Sequence, residues 1–217
     1  MLGLTTLVQG LGLAYAAGLN LYAAVGFTGL AIRNGWVHNV PSTIEPLGNT
    51  WVIGLALGLY ALEFSATLIP GLASAWETLH SLIRPPAAAV LAAATAWHAD
   101  PLIVLVAALL GGGLAITTHT TKLGLRYAID ASPEPVTNAA SNVAELGLVG
   151  AVAVFIWQHP FITLTLALLV LVLLILLVRM IWRTLRRVFS GNWMPAPGLM
   201  QGPRVMEQRG PDGEDDT

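Results

Sequence analysis

The sequence predicts an all-α, polytopic transmembrane helix bundle. Of its 217 residues, 55% are hydrophobic and only 10% are charged, and the mean hydropathy is +0.71. A soluble domain usually carries about 25% charged residues, so this chain has too few charges to cover a surface that faces water. The net charge of −2 gives no general attraction for polyanions, and nucleic acid is not an expected partner. Since the chain has no cysteine, disulfides and thiolate metal sites are excluded.

Six apolar stretches define about six predicted spans, because a helix needs about 20 apolar residues to cross the hydrocarbon core. They cover residues 2–32, 51–70, 85–98, 101–121, 138–157 and 161–182. The first stretch would be about 45 Å long as one helix, so we expect it to break at Gly18-Leu19-Asn20. The third stretch is short for a full crossing. It either spans as a tilted helix or forms a re-entrant hairpin with the fourth, which would leave four or five spans.

Six spans divide into two sets of three, which predicts a 3+3 inverted repeat. The segments 10–14 and 111–115 are similar, and each half carries one glutamate in its second span, Glu63 and Glu145. Inverted repeats with interrupted helices are typical of secondary transporters. On this interpretation the fourth helix breaks at Gly111-Gly112-Gly113, as the first does at its own glycine. Chance recurrence of small apolar residues is the alternative.

The positive-inside rule predicts that both termini are cytoplasmic. An arginine cluster ends the sixth span and consists of Arg179, Arg183, Arg186 and Arg187. If this cluster is cytoplasmic, Arg84, Lys122 and Arg126 fall on the same side, and only Arg33 lies outside. The predicted membrane domain is 1–187. Residues 188–217 are rich in glycine and proline and predict a disordered cytoplasmic tail.

Two glutamates occupy positions where a charge is costly. Glu63 lies inside the second predicted span and Glu145 inside the fifth, and a charge at the bilayer centre costs about 2.5–3.5 kcal/mol. In the predicted topology both fall in the inner half of the membrane, level with His119 and Lys122 at the end of the fourth span. One interpretation is a shared site for a solute or a proton. The other is a buried ion pair that fixes helix packing.

The start of the fifth span carries a polar stripe. Asn138, Ser141, Asn142 and Glu145 are spaced at i, i+3, i+4 and i+7, which places them on one helical face. Four polar groups exceed what one helix contact normally uses, which favours a wet cavity over helix packing. The predicted substrate-binding residues are therefore Asn20, Glu63, His119, Lys122, Asn138, Ser141, Asn142 and Glu145.

Four further residues are secondary candidates: Glu77, His80, Arg84 and Arg126. His119, Lys122 and Arg126 share a face beside several threonines and could bind an anion, with snorkelling of Arg126 to the interface as the alternative. Glu77 and His80 form a Glu-x-x-His element, but a di-iron site needs two such motifs and two more carboxylates. We therefore predict no metal or other cofactor, and we assign Glu77, His80 and Arg84 to an amphipathic connector after the second span.

The same motifs, taken in order, resemble a known family. They are Gly18-Leu19-Asn20-Leu21-Tyr22, Glu63 with Ile69-Pro70-Gly71, Trp76-Glu77-x-x-His80 with Arg84-Pro85, His119-x-x-Lys122-x-x-x-Arg126, and Ser132-Pro133-Glu134-Pro135 with Asn138, Ser141 and Glu145. Over roughly residues 10–157 this set resembles the bacterial multispanning membrane family called domain of unknown function 4126. The resemblance implies a bacterial inner-membrane protein with this polar set. The family has no established activity that the resemblance could carry over.

The predicted function is that of a transporter or permease-like protein for a small solute or ion. The alternative is a non-transporting membrane scaffold or assembly subunit. An enzyme is not expected, because the sequence has no G-x-S-x-G, P-loop or dinucleotide motif. The expected partners are the lipid bilayer, the solute and further copies of the chain in a homo-oligomer. A water-accessible cleft at Glu63 and Glu145 would favour transport, and a dry, fully paired network would favour the scaffold.

Overall fold

The computed structural model describes residues 2–69, 72–130 and 135–189. These residues form helices joined by turns and loops, and none of them lies in a strand. The helices are α1 (Leu2–Leu19), α2 (Leu21–Arg33), α3 (Thr50–Thr67), α4 (Leu72–His80), α5 (Arg84–Thr95), α6 (Pro101–Asp130), α7 (Pro135–Gln158) and α8 (Pro160–Phe189), with a 3₁₀ turn at Glu45–Gly48. The all-α prediction is confirmed. The chain divides into two compact units, Met1–Arg179 and Met180–Thr217. Of the predicted tail, only residues 188 and 189 are described, and they continue α8.

In the part of the chain that the structure describes, four helices are long and apolar enough to cross a membrane, which supports an integral membrane protein. These candidate spans are Thr50–Thr67, Pro101–Tyr127, Ala139–Gln158 and Pro160–Arg186. α1 and α2 are shorter apolar helices. With 12 residues, α5 is about 18 Å long, below the thickness of the hydrocarbon core. The count of six spans and the inverted repeat stay predictions.

The first apolar stretch is interrupted, as predicted. Asn20 separates α1 from α2 and has an extended backbone, with φ −151° and ψ 104°. An extended residue frees backbone groups that a continuous helix would pair, and these need new partners. The Asn20 Oδ1 accepts a hydrogen bond from the backbone N–H of Ala23 at 3.0 Å, and the Leu19 carbonyl accepts one from Lys122 Nζ at 2.8 Å. The break therefore lies where a polar side chain from another helix can reach it.

The predicted break in the fourth helix is wrong. α6 is continuous from Pro101 to Asp130 and includes all three glycines. A Cβ added to Gly111 would lie 2.6 Å from the Cβ of Ala92 and 3.3 Å from the Cβ of Ala14. Small residues let membrane helices approach closely. Gly111 thus serves the contact of α6 with α5 and α1, which needs no break.

α1 lies at the centre of the first unit and packs against α5, α6 and α7, while α2 packs against α3 and α7. The side chains of residues 13–17 on α1 are fully buried. Their neighbours include Ala88 and Ala92 of α5 and Ala115 of α6, which are also fully buried. Because these side chains are small, the helix axes come close together. The α1–α2 break therefore lies inside the bundle.

Candidate functional site

Arg84, at the start of α5, is fully buried and joins two acidic residues of other helices. Its Nη2 lies 2.6 Å from Oε1 of Glu63 on α3, and its Nη1 lies 2.5 Å from Oε2 of Glu77 on α4. The side chains of the two glutamates are 3% and 0% exposed. A buried charge is tolerated when it is paired and hydrogen-bonded. One guanidinium therefore connects α3, α4 and α5 at the centre of the polar cluster.

Lys122 of α6 places its ammonium among oxygens from four other elements. The Nζ lies 2.7 Å from Glu145 Oε1, 2.8 Å from Glu77 Oε1 and 3.4 Å from Glu63 Oε1. It also donates to the Leu19 carbonyl at the end of α1, at 2.8 Å. An ammonium has three N–H donors, so four oxygens share three donors. Lys122 thereby links the helix break to all three carboxylates.

Glu77 on α4 lies outside the candidate spans and is ionised at neutral pH. Burial by itself would raise its pKa, but the adjacent Lys122 and Arg84 lower the pKa to about 2. Its side chain is 0% exposed. An anion this deeply buried requires both cations, so Glu77 belongs to the core of the cluster.

Asn20 lies between the two glutamates that the sequence singles out. Its Nδ2 donates to Glu63 Oε1 at 2.8 Å and to Glu145 Oε1 at 3.1 Å, while its Oδ1 caps α2 at Ala23. Lys122 contacts the same two carboxylate oxygens. The structure therefore brings Glu63, Glu145, Asn20 and Lys122 together at the helix break.

The residues of the polar stripe on α7 differ in their contribution to the hydrogen-bond network. Asn142 accepts a hydrogen bond from Arg126 Nη2 at 2.7 Å and donates one to Thr67 Oγ1 at 2.9 Å, so it extends the network toward the end of α3. Ser141 lines an adjacent cleft. Asn138 is in α7, and its side chain lies outside the described residues.

His119 joins the network as a hydrogen-bond acceptor of Arg84. Its Nδ1 lies 3.1 Å from Arg84 Nη1, and its Nε2 lies 2.8 Å from Ser81 Oγ. A guanidinium can only donate, so Nδ1 must be unprotonated and Nε2 carries the hydrogen. His119 is therefore a neutral ring that fixes the guanidinium of Arg84.

His80 also belongs to the network, and the ring nitrogen that must carry a hydrogen is its Nδ1. Its Nδ1 lies 2.8 Å from the Trp76 carbonyl and its Nε2 lies 3.1 Å from the Tyr22 hydroxyl. Since a carbonyl only accepts, Nδ1 carries a hydrogen, and Nε2 shares a hydrogen bond with the Tyr22 hydroxyl. This bond connects α2, just after the break, to α4.

The predicted connector between the second and third stretches is the short helix α4, which carries Glu77 and His80, and Arg84 begins α5. Glu77, His80 and Arg84 are 0%, 2% and 0% exposed, because α4 packs against α3 and α6, and α5 packs against α1 and α6. The snorkelling alternative for Arg126 is wrong, since this residue is 3% exposed and bonded to Asn142.

Three side chains of the network are missing from the predicted site residues, namely Tyr22, Thr67 and Ser81. Thr67 pairs with Asn142, 75 positions away, and Ser81 pairs with His119, 38 positions away. A single hydroxyl at the end of a helix gives no pattern in the sequence. The position of Ser81 four residues after Glu77 is the one available signal, because that spacing places it one turn beyond Glu77, just past the end of α4.

A cleft of about 260 Å³ borders the network. Its polar end is formed by Thr121, Lys122, Arg126, Ser141 and Glu145. The rest of its lining is apolar and includes Leu148 of α7 and Leu174 of α8. Among the charged groups of the cluster, Glu145 has a side chain that is 15% exposed, against 6% for Lys122.

A second cavity of only about 10 Å³ lies beside Glu63, Asn142 and Glu145, which is room for about one water molecule. The second oxygen of Glu63, Oε2, is buried and accepts no hydrogen bond from the described residues. A cleft and a buried, paired network were the two alternatives for this site, and both occur here. The centre of the network is buried and ion-paired, and the Lys122–Glu145 end borders a cleft.

Among the described residues, no group of three or more histidine or acidic side chains is placed to hold a metal ion. A family model described as "Domain of unknown function (DUF4126)" matches residues 7–180. The match includes every residue of the network above. No curated protein and no solved structure matches the chain.

Proposed function

The chain belongs to the DUF4126 family, and we propose that it is a transporter or permease-like protein for a small solute or ion, located in a bacterial inner membrane. The family description assigns no activity, so the proposal rests on the site. The observation that carries it is the α1–α2 break, at which Asn20 and Lys122 meet the carboxylates of Glu63, Glu77 and Glu145. Secondary transporters commonly place their sites at such interrupted helices.

The distribution of hydrogen bonds supports a network that can rearrange. Glu63 Oε1 receives Arg84 at 2.6 Å, Asn20 at 2.8 Å and Lys122 at 3.4 Å, whereas its Oε2 receives no donor from the described residues. A carboxylate whose role is purely structural would gain by sharing these donors between both oxygens. The long contact to Lys122 and the free oxygen leave room for an exchange of partners. Such an exchange is what a transport cycle requires.

The burial of the network favours a second function, that of a non-transporting scaffold subunit within a homo-oligomer. Glu77 and Arg84 are fully buried, and Glu63 is 2% exposed. A paired, dry network can fix helix positions without ever binding a solute. The two proposals predict different results for a substitution that removes one charge of the network and keeps the shape of the side chain.

Glu63→Gln should abolish ion flux while the protein still folds. Glutamine keeps the shape of the side chain, but its loss of charge weakens the pairing with Arg84 and Lys122. We would reconstitute purified protein in liposomes and record currents on a solid-supported membrane after steps in pH, Na⁺ and K⁺. The wild type should respond to at least one of these steps, and the variant should lose most of that response while it stays monodisperse.

Glu45→Gln is the matched control, because Glu45 lies exposed in the 3₁₀ turn, and it should behave as the wild type. A wild-type response no larger than that of empty liposomes would contradict transport of these ions. A Glu63→Gln variant with full flux would contradict the assigned site. If the wild type shows no flux and Glu63→Gln has a lower melting temperature than the wild type, the result would support the scaffold function.

The proposed topology has both termini in the cytoplasm. Alkaline phosphatase, which is active only in the periplasm, should therefore be inactive when fused after Thr217. The same enzyme inserted after Ser42, in the loop between α2 and α3, should be active, because this loop lies outside in the proposed topology. High activity at Thr217 would overturn the orientation.

A further inference from the structure

The cleft of about 260 Å³ is placed so that its occupant contacts both lipid-facing helices and the charged network. Three of the helices that form it, α6, α7 and α8, contain candidate membrane spans. On α7 the lining residues Ser141, Ala144, Glu145 and Leu148 recur at i, i+3, i+4 and i+7 and so share one helical face. Ala144 is itself exposed. Because these helices lie in the bilayer, an opening beside Ala144 faces hydrocarbon.

Most residues that line the cleft are apolar, and its charged residues belong to α6 and α7. Leu148, Val170 and Leu174 supply apolar walls from α7 and α8, and Lys122 and Glu145 lie at the polar end. Ligand pockets are typically apolar with a few polar groups that fix the orientation of the ligand. This cleft therefore fits a molecule with a hydrocarbon body and one polar headgroup.

Glu145 determines the charge of that headgroup. Its side chain is 15% exposed, whereas that of Lys122 is 6% exposed. Its Oε1 accepts from Asn20 and Lys122, and its Oε2 accepts no hydrogen bond from the described residues. The cation beside it is already held by three carboxylates and a carbonyl. The most accessible charge at the polar end is thus an anion whose second oxygen has room for a donor from outside the described residues.

We propose that this cleft binds an amphiphilic cation, a hydrocarbon chain that ends in an ammonium group, which enters from the bilayer and pairs with Glu145. This inference rests on the proposed function, because it names the substrate class of the same site. The incoming ammonium donates to Glu145 and competes there with Lys122. Lys122 keeps Glu77 and the Leu19 carbonyl as partners, so no charge is left unpaired.

The test uses a dodecylammonium probe with a photoreactive diazirine on its chain and the full-length protein in lipid nanodiscs. The wild type should show saturable labelling within residues 141–148 and 170–174. Ala144→Trp fills the mouth of the cleft and should weaken labelling about tenfold or more, a loss of about 1.4 kcal/mol in binding. Val143→Trp is the matched control, since Val143 is exposed on the same helix but does not line the cleft. It should label as the wild type.

Two further comparisons test the headgroup. A dodecanoate probe with the same diazirine reverses the charge and should label the cleft about tenfold more weakly, and Glu145→Gln should weaken labelling by dodecylammonium to a similar extent. Equal labelling by both probes, or by Ala144→Trp and the wild type, would overturn the proposal.

Binding and transport can fail separately in these experiments. Saturable labelling in a protein without flux in liposomes would support the amphiphile site and contradict the transporter. Flux that depends on Glu63, without labelling of the cleft, would support the transporter and contradict the amphiphile as its substrate.

Discussion

Arg84→Met should lower the free energy of unfolding by about 3–5 kcal/mol, because it removes one partner of a buried ion-pair network. The guanidinium of Arg84 lies 2.6 Å from Glu63 Oε1 and 2.5 Å from Glu77 Oε2, and all three side chains are 3% exposed or less. Methionine keeps an unbranched apolar side chain in the space of the arginine stem, so little packing is lost. The free energy of unfolding falls because the two carboxylates stay buried but lose a cationic partner. Steric-trap unfolding in bicelles would measure it.

Arg179→Met is the matched control, because Arg179 is exposed on α8, and its effect should stay within about 0.5 kcal/mol. The double variant Glu63→Gln with Arg84→Met should recover part of the loss, since one of the two orphaned charges is then gone. Unfolding of Arg84→Met at the wild-type free energy would show that the pairing with Glu63 and Glu77 contributes nothing to stability. That result would also remove the structural basis of the scaffold alternative.

The sequence predicts the helix break because two independent constraints agree there. An apolar stretch of this length exceeds the bilayer, and Asn20 is a polar residue inside it. Glu63 and Glu145 are predicted to lie together from their depth in their spans, which hydropathy determines well. These inferences use only local composition and the thickness of the membrane.

The roles of Glu77 and Arg84 could not be obtained in this way. They flank a short, weakly apolar segment, and composition alone cannot tell whether such a segment faces water or packs into the bundle. α4 packs inward because its Glu77 pairs with Arg84 of α5 and with Lys122 of α6, and Lys122 is distant in sequence. Burial that depends on long-range ion pairs leaves no periodic signal.

A run of glycines does not by itself predict whether a membrane helix breaks. A glycine in a membrane helix either accompanies a break or allows close packing, and the sequence pattern is the same in both cases. Gly111 serves packing. At the first break, the helix continues through Gly18 and ends at Leu19, so the break is made by Asn20 and its bonds to Glu63 and Ala23.

Gly18→Ala should destabilise the bundle by about 1–3 kcal/mol or more, as expected for overpacking in a tight core. The added Cβ would overlap Thr118 Oγ1 and would lie 2.7 Å from the Cα of Ala115 and 2.9 Å from the Ala115 carbonyl oxygen. Thr118 can change its rotamer, but the backbone of α6 cannot move without the whole helix. α1 must therefore shift away from α6, which also lengthens the bond from Lys122 to the Leu19 carbonyl, now 2.8 Å.

Gly54→Ala provides the comparison within α3. A Cβ at Gly54 meets no atom within 4 Å, and alanine has the higher helix propensity by up to about 1 kcal/mol, so this variant should be neutral or slightly more stable. Thr118→Ala in the Gly18→Ala background should restore only part of the stability, because it relieves the hydroxyl contact and leaves both backbone contacts of Ala115. A full rescue, or a Gly18→Ala protein as stable as the wild type, would mean that α1 and α6 are not held this closely beside the break.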